Sequence, residues 1–153
     1  MSEIIKKFHI LKRSDAVRIG KFGFVGVLGV GVNMGLYFIF SDILGITDFI
    51  SRALAIEVSI IHNFAWNFSW TWKDRSGSIR EIPSRMLRYH GSTLFSSFGV
   101  TLATGWLLML ILPETVIARY MSHLAGIGVG MVSNYILSDL WVFKKSQGGE
   151  DND

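Results

Sequence analysis

The chain has 153 residues, 50% of them hydrophobic and only 18% charged, where an ordinary soluble domain is about a quarter charged. That apolar excess excludes intrinsic disorder, and the absence of cysteine excludes a disulfide framework, a thiol nucleophile and a cysteine-ligated metal. A net charge of +3 leaves a nucleic-acid partner to be judged by where the basic residues fall.

Residues 3–18 mix Ile4, Ile5, Phe8, Leu11 and Val17 with basic side chains, which predicts an amphipathic helix lying on the inner leaflet. Residues 22–40 then carry no formal charge, 53–72 carry only Glu57, 91–112 carry none, and 116–143 hold Arg119 near one end and Asp139 near the other. About 20 apolar residues cover the hydrocarbon core of a bilayer, so each stretch predicts one transmembrane helix, the fourth long enough to tilt. Barrel strands would be about half as long and alternate in polarity. The first stretch is too long for a signal-peptide core and has no small-residue cleavage site after it. The expected fold is an all-α membrane protein with one four-helix domain over residues 1–145, and the polar, acidic residues 146–153 predict a disordered tail.

Thirteen of the fifteen basic residues precede the first stretch, lie between the second and third, or follow the fourth. The positive-inside rule then puts both termini and the loop around residues 74–89 in the cytoplasm, in the cytoplasmic (inner) membrane. Topology accounts for the basic charge, and a nucleic-acid partner is not expected. Two helical hairpins result, and they look alike. At a shift of 71, Asn63, Phe64, Trp70, Trp72 and Lys73 meet Asn134, Tyr135, Trp141, Phe143 and Lys144. At a shift of 70, Arg18, Gly29 and Gly35 meet Arg88, Gly99 and Gly105. Two spans per unit make this a parallel repeat, an arrangement transporters use with function at the repeat interface.

Asn63, Asn67 and Trp70 fall at i, i+4 and i+7 and share a helix face, as do Asn134, Ser138 and Trp141. Amides in hydrocarbon seek partners, so these faces should point inward. One reading is interhelical glue, with Trp70, Trp72, Trp141 and Phe143 forming an aromatic belt and Lys73 and Lys144 snorkelling to the headgroups. The other is a hydroxyl-rich ligand held by the amides beside Trp66 and Trp70. The two readings are compatible. Glu57, near the outer end of its span, either reaches water or contacts that ligand. His62 and His123 lack companions at ligand spacing, so no metal and no cofactor are expected. Gly31–Gly35 and Gly126–Gly130 are small-xxx-small pairs that let helix backbones approach, and Asn33, on the glycine-rich face, should bond to another helix. No nucleophile with its base and no paired carboxylates appear, so no catalytic residue and no enzyme are expected.

The string Lys21-Phe22-Gly23-Phe24-Val25-Gly26 followed by Asn33, then Arg85-Met86-Leu87-Arg88-Tyr89 and the two Asn-aromatic…Trp-x-aromatic closings, resembles the GtrA-like proteins over residues 16–145. The resemblance implies a small four-helix membrane protein of cell-surface polysaccharide assembly, one that flips polyprenyl-phosphate-linked sugars to the outer leaflet. In that family a basic residue often follows the second polar position of each closing. Here those places are Phe68 and Asp139, which leaves Arg18, Lys21, Arg85 and Arg88 to meet the lipid phosphate.

The expected function is translocation of a polyprenyl-phosphate-linked monosaccharide. In this reading Asn63, Asn67, Asn134 and Ser138 bond the sugar, Trp66, Trp70 or Trp141 stacks on it, and Asn33 and Glu57 are further candidate contacts to it. Four helices make a thin wall, so a homo-oligomer or a glycosyltransferase partner is expected. The alternative is a membrane anchor or stabilising subunit of that glycosyltransferase, docking it through residues 74–89. A proton-coupled drug exporter built on Glu57 ranks third.

Overall fold

Residues 2–75 and 77–144 are described by a computed structural model, with side chains from residue 15 onward except Tyr120. The expected tail lies outside the described residues. Every long element is helical, and there is no strand among the described residues. The all-α expectation holds. Contacts divide the chain into two compact units, Met1–Ser76 and Gly77–Asp153, and each is a helical hairpin.

In the first unit, α1 (Ser2–Phe38) runs on through a π-helical turn, Ile39–Ile43. The segment expected on the membrane surface and the first span are one unbroken helix. It stops where Gly45 takes φ +65° and the Ile46 N–H reaches back to the Phe40 carbonyl at 2.9 Å, a close of the kind glycine permits. Helix α2 (Asp48–Trp66) returns and also ends in a π turn, Asn67–Thr71. Its inward side is small and polar: Ser51, Ala55, Ser59, Asn67 and Thr71 are buried at four-residue steps, with Asn63 half-buried between them. Helix α1 faces it with Phe22, Val25 and Gly29. A Cβ on Gly29 would sit 2.3 Å from Asn63 Oδ1, so the missing side chain is what lets the amide in.

The second unit opens with Gly77 at φ +66° and one 3₁₀ turn, Ile79–Glu81. Helix α3 (Ile82–Leu94) follows, with Pro83 in its first turn, where a missing N–H costs nothing. It continues through a π turn, Phe95–Val100, into α4 (Thr101–Met109). The third helix therefore begins nine residues before the expected span. Arg85 and Arg88 lie on it and not in a loop, because Arg85, Tyr89 and Ser92 form an inward stripe that hydropathy alone counts as polar. Helix α5 (Val116–Leu137) starts at Thr115, whose hydroxyl accepts the Ala118 N–H at 3.1 Å, and ends in a π turn, Ser138–Val142, that matches the one closing α2. Its buried ladder is Ala118, Ser122, Gly126, Gly130 and Ser138. At Gly126 an added Cβ would meet the Thr101 carbonyl at 2.5 Å, and at Gly130 the Thr101 hydroxyl at 2.3 Å. By contrast Gly31 and Gly35 have nothing within 4 Å. Close packing belongs to Gly29, Gly126 and Gly130, and the Gly31–Gly35 pair takes no part in it within its unit.

The two units repeat each other more fully than the sequence suggests. At the shift of 71, Ser51, Ala55, Ser59, Asn63, Asn67, Thr71 and Trp72 coincide with Ser122, Gly126, Gly130, Asn134, Ser138, Val142 and Phe143, with the same burial at each step. Both π turns close with the same bond: Trp72 N–H to Asn67 C=O and Phe143 N–H to Ser138 C=O, each 2.8 Å. The first helices match at a shift of 67, not 70. Arg18, Phe22, Val25 and Gly29 correspond to Arg85, Tyr89, Ser92 and Ser96, inward-facing in both units, whereas Arg88 and Gly99 are exposed.

Candidate functional site

The π turns decide where the aromatic rings go. An i→i+5 turn widens the helix, and the residue after it is carried inward. Trp72 and Phe143 are completely buried. The Trp72 ring meets Phe22 edge-on at 5.8 Å between centroids, and Phe143 meets Tyr89 at 6.2 Å. These two rings are core, which corrects their assignment to a membrane-interface belt. Trp70 keeps the interfacial character: Phe24 and Trp66 lie edge-on to it at 5.9 and 6.1 Å, and Lys21 Nζ stands 5.2 Å over its ring and 3.4 Å from its carbonyl. That geometry is a cation–π contact with a backbone acceptor beside it.

Of the polar candidates, Asn67 and Ser138 are buried inside their hairpins, and Ser138 Oγ has no hydrogen-bond partner among the described residues. Asn63 and Asn134 are half-buried. The Asn63 amide oxygen lies 3.2 Å from His62 Nδ1, and Ser92 Oγ donates to Asn134 Oδ1 at 3.4 Å. Trp66, Trp141 and Glu57 are exposed on their units, and the Trp66 ring extends the Trp70 contact toward His62.

The basic candidates separate into two kinds. Arg18 is nearly buried and donates to Asp74 Oδ2 at 2.9 Å. Arg85 is buried and grips Glu81 through Nε at 3.0 Å and Nη2 at 2.7 Å. The carboxylate side of each pair stays open to solvent, 58% exposed at Asp74 and 37% at Glu81, so water weakens both pairs. Each hairpin thus carries one arginine–carboxylate clasp at its basic end, in equivalent places. Lys21 is half-buried and Arg88 is exposed.

At the other end of the first hairpin lies a group of residues that span prediction passed over. Tyr37 donates to Asp48 Oδ1, Arg52 Nε donates to Asp48 Oδ2 at 2.9 Å, and the Arg52 guanidinium sits 4.8 Å over the Tyr37 ring. The bonds from Arg52 and Tyr37 hold the Asp48 carboxyl below the usual carboxylate range. Beside them opens a groove of about 500 Å³ that includes Asn33, Asp42 and Ile56. Asn33 was expected to bond across to another helix, and the structure instead puts it in this groove. The signal available in the sequence was Asp48 and Arg52 at i, i+4, masked by their place at the edge of an apolar span.

Small and polar residues make up much of the inside of both hairpins beside the buried rings, while Val27, Met34, Phe49, Leu102, Trp106 and Ile111 point out. That inversion is how helices pack in lipid, where apolar surface needs no burial and small residues let backbones approach. Two of the helices, Asp15–Ile43 and Ile79–Met109, are long and apolar enough to cross a membrane. The fold and its buried polar ladders define an all-α integral membrane domain. The family described as GtrA/DPMS, transmembrane domain, matches residues 21–149, and the chain belongs to that family, whose context is polyprenyl-phosphate-sugar metabolism. A dolichol-phosphate mannosyltransferase of Pyrococcus furiosus is 39% identical over 118 residues, which is 76% of this chain and 32% of that protein. The chain thus spans about a third of the length of this relative. The relative bears the name of an enzyme, and this overturns the expectation that no enzyme is involved. That expectation rested on the absence of catalytic motifs, a test blind to the two thirds of the relative that lie outside the match.

Proposed function

We propose that this chain is a membrane module of polyprenyl-phosphate-sugar processing that carries the lipid-linked monosaccharide across the cytoplasmic membrane. The observation that carries the reading is the duplicated polar ladder: Asn63 and Asn134 stand half-buried at equivalent positions of the repeat, with an exposed Trp ring three residues on at Trp66 and seven residues on at Trp141. A sugar needs such donors and acceptors to pass about 30 Å of hydrocarbon, while its polyprenyl tail stays in lipid. Asn63 and Asn134 bond the hydroxyls, and Asn67 and Ser138 brace them from inside. Trp66, Trp70 and Trp141 offer ring faces, and Glu57 a carboxylate. Lys21 and Arg88 gather the phosphate on the cytoplasmic side, drawn by its charge. Arg18 and Arg85 join only by exchanging Asp74 and Glu81 for it. Both termini face the cytoplasm in this reading, and a homo-oligomer or a glycosyltransferase completes the path.

The test is flipping in proteoliposomes of purified protein, with a short-chain polyprenyl-phosphate-glucose and a non-permeant reagent reading the outer leaflet. Exposure faster than in empty liposomes is expected, slowed about tenfold by Asn63→Ala or Asn134→Ala, the loss of roughly one hydrogen bond in a shielded site. Unchanged rates in both variants at normal protein levels would sink the translocation reading.

A second reading has its own support: the two arginine–carboxylate clasps are satisfied within each hairpin, and the relative has most of its length beyond the match. In it the chain anchors or stabilises a polyprenyl-phosphate glycosyltransferase through residues around 74–89. Substitution of the exposed Arg80 and Arg88 would then reduce the activity of the reconstituted pair, while Asn63→Ala would leave it intact.

A further inference from the structure

We propose that the groove at the loop end of the first hairpin is a carbohydrate site that takes one neutral hexose ring. The groove holds about 500 Å³, within the range of small-ligand sites. Its polar groups are uncommitted where it matters. Asn33 is half-buried in its wall and has no hydrogen bond to any described residue. Asp42 receives only the Ser41 hydroxyl, on Oδ2, which leaves Oδ1 open. Arg52 spends Nε and Nη2 on Asp48 and Tyr37 and keeps its remaining N–H donors free, with 62% of its side chain exposed. A carboxylate, an amide and a guanidinium in one lining supply the mixed acceptors and donors that vicinal hydroxyls need. Tyr37 and Phe38 add the flat apolar surface that the C–H face of a pyranose covers, and Met34 and Ile56 extend it.

Charge separates this ligand from the competing one. Asp42, Asp48 and Arg52 together carry one net negative charge, so a phosphate or other anion is repelled while a neutral polyol is not. The clasp among Tyr37, Asp48 and Arg52 fixes the groove wall before any ligand arrives, which lowers the ordering cost of binding. The assignment rests in part on the translocation reading, because a sugar carried from the basic end would arrive here. Binding at the groove nevertheless stands or falls without transport.

The experiment is saturation-transfer NMR of the full chain in nanodiscs with methyl hexopyranosides in the gluco, galacto and manno forms. A saturable signal from at least one form is expected. It should weaken about tenfold in Asp42→Asn and in Asn33→Leu, stay intact in the exposed control Ser97→Ala, and resist inorganic phosphate. Thermal melting of each variant checks that the fold is retained, and Asp42→Asn, at an exposed position, suffices where Asn33→Leu melts early. No signal from the wild type, an unchanged signal in a folded Asp42→Asn, or displacement by phosphate would each overturn the proposal. Sugar binding without flipping keeps the groove and removes the translocation reading. Flipping without sugar binding does the reverse.

Discussion

Gly29 and Gly126 look interchangeable in sequence and differ in what they touch. A Cβ at Gly29 meets the tip of the Asn63 side chain, whereas at Gly126 it meets the Thr101 carbonyl at 2.5 Å. An amide can rotate away; a backbone oxygen moves only with its helix. Gly126→Ala should therefore destabilise by about 1–3 kcal/mol, the usual cost of overpacking. Gly31→Ala, where nothing lies within 4 Å, should be neutral or gain up to about 1 kcal/mol from helix propensity. Melting of the three proteins in one detergent compares them. Equal midpoints for Gly126→Ala and Gly31→Ala would mean that α5 does not approach Thr101 this closely. Gly29→Ala should fall between the two, and its main effect should be on the Asn63 amide it displaces.

At the scale of the element, the π turns at the ends of α2 and α5 set the register of everything beyond them. The Trp72 N–H bonds five residues back to Asn67, so the ring enters the core. An α-helical close would have left it some 100° further round. Trp72→Ala removes the ring that this turn carries inward against Phe22. The helical content should then hold while stability falls by about 3–5 kcal/mol, the usual cost of removing a large ring from a core. Far-UV dichroism unchanged with a much lower melting midpoint would support this; an unchanged midpoint would sink it. The same turns explain which parts of the fold were legible in sequence. Four helices follow from the lengths and polarities of their apolar stretches, and the Asn63–Asn134 correspondence follows from spacing alone. The 3.6 period carried to the helix end misplaced Trp72 and Phe143, because hydropathy does not encode an i→i+5 bond. Ser51, Ala55 and Ser59 escaped notice because small residues carry little hydropathy in either direction, although their match to Ser122, Gly126 and Gly130 was present at the shift already found. The groove residues Tyr37, Asp42 and Arg52 were passed over because a span is judged by the charges it lacks, and a paired charge at its edge reads as a boundary.

For the whole molecule, orientation is what joins the fold to the proposed function. Thirteen of fifteen basic residues fall before residue 22, within residues 73–88 or after residue 143. The opposite connections carry Asp42, Asp48 and Glu114 against Arg52 and, at a helix edge, Arg119. The positive-inside rule then predicts cytoplasmic clasps and an outward-facing groove. The native chain contains no cysteine, so single cysteines can be placed on an otherwise silent background. Phe49→Cys sits at an exposed position in the first turn of α2, Glu114→Cys at an exposed position before α5, and Ser78→Cys at an exposed position at the start of the second unit. A membrane-impermeant thiol reagent added to intact cells should label residues 49 and 114 and spare 78, and inverted vesicles should reverse the pattern. Labelling of 78 from outside would place Lys21 and Arg88 where no cytoplasmic headgroup can reach them, and the direction of transport would have to be given up. Labelling of 49 and 114 from opposite sides would contradict two hairpins of like orientation, and with them the parallel repeat on which the paired Asn63 and Asn134 depend.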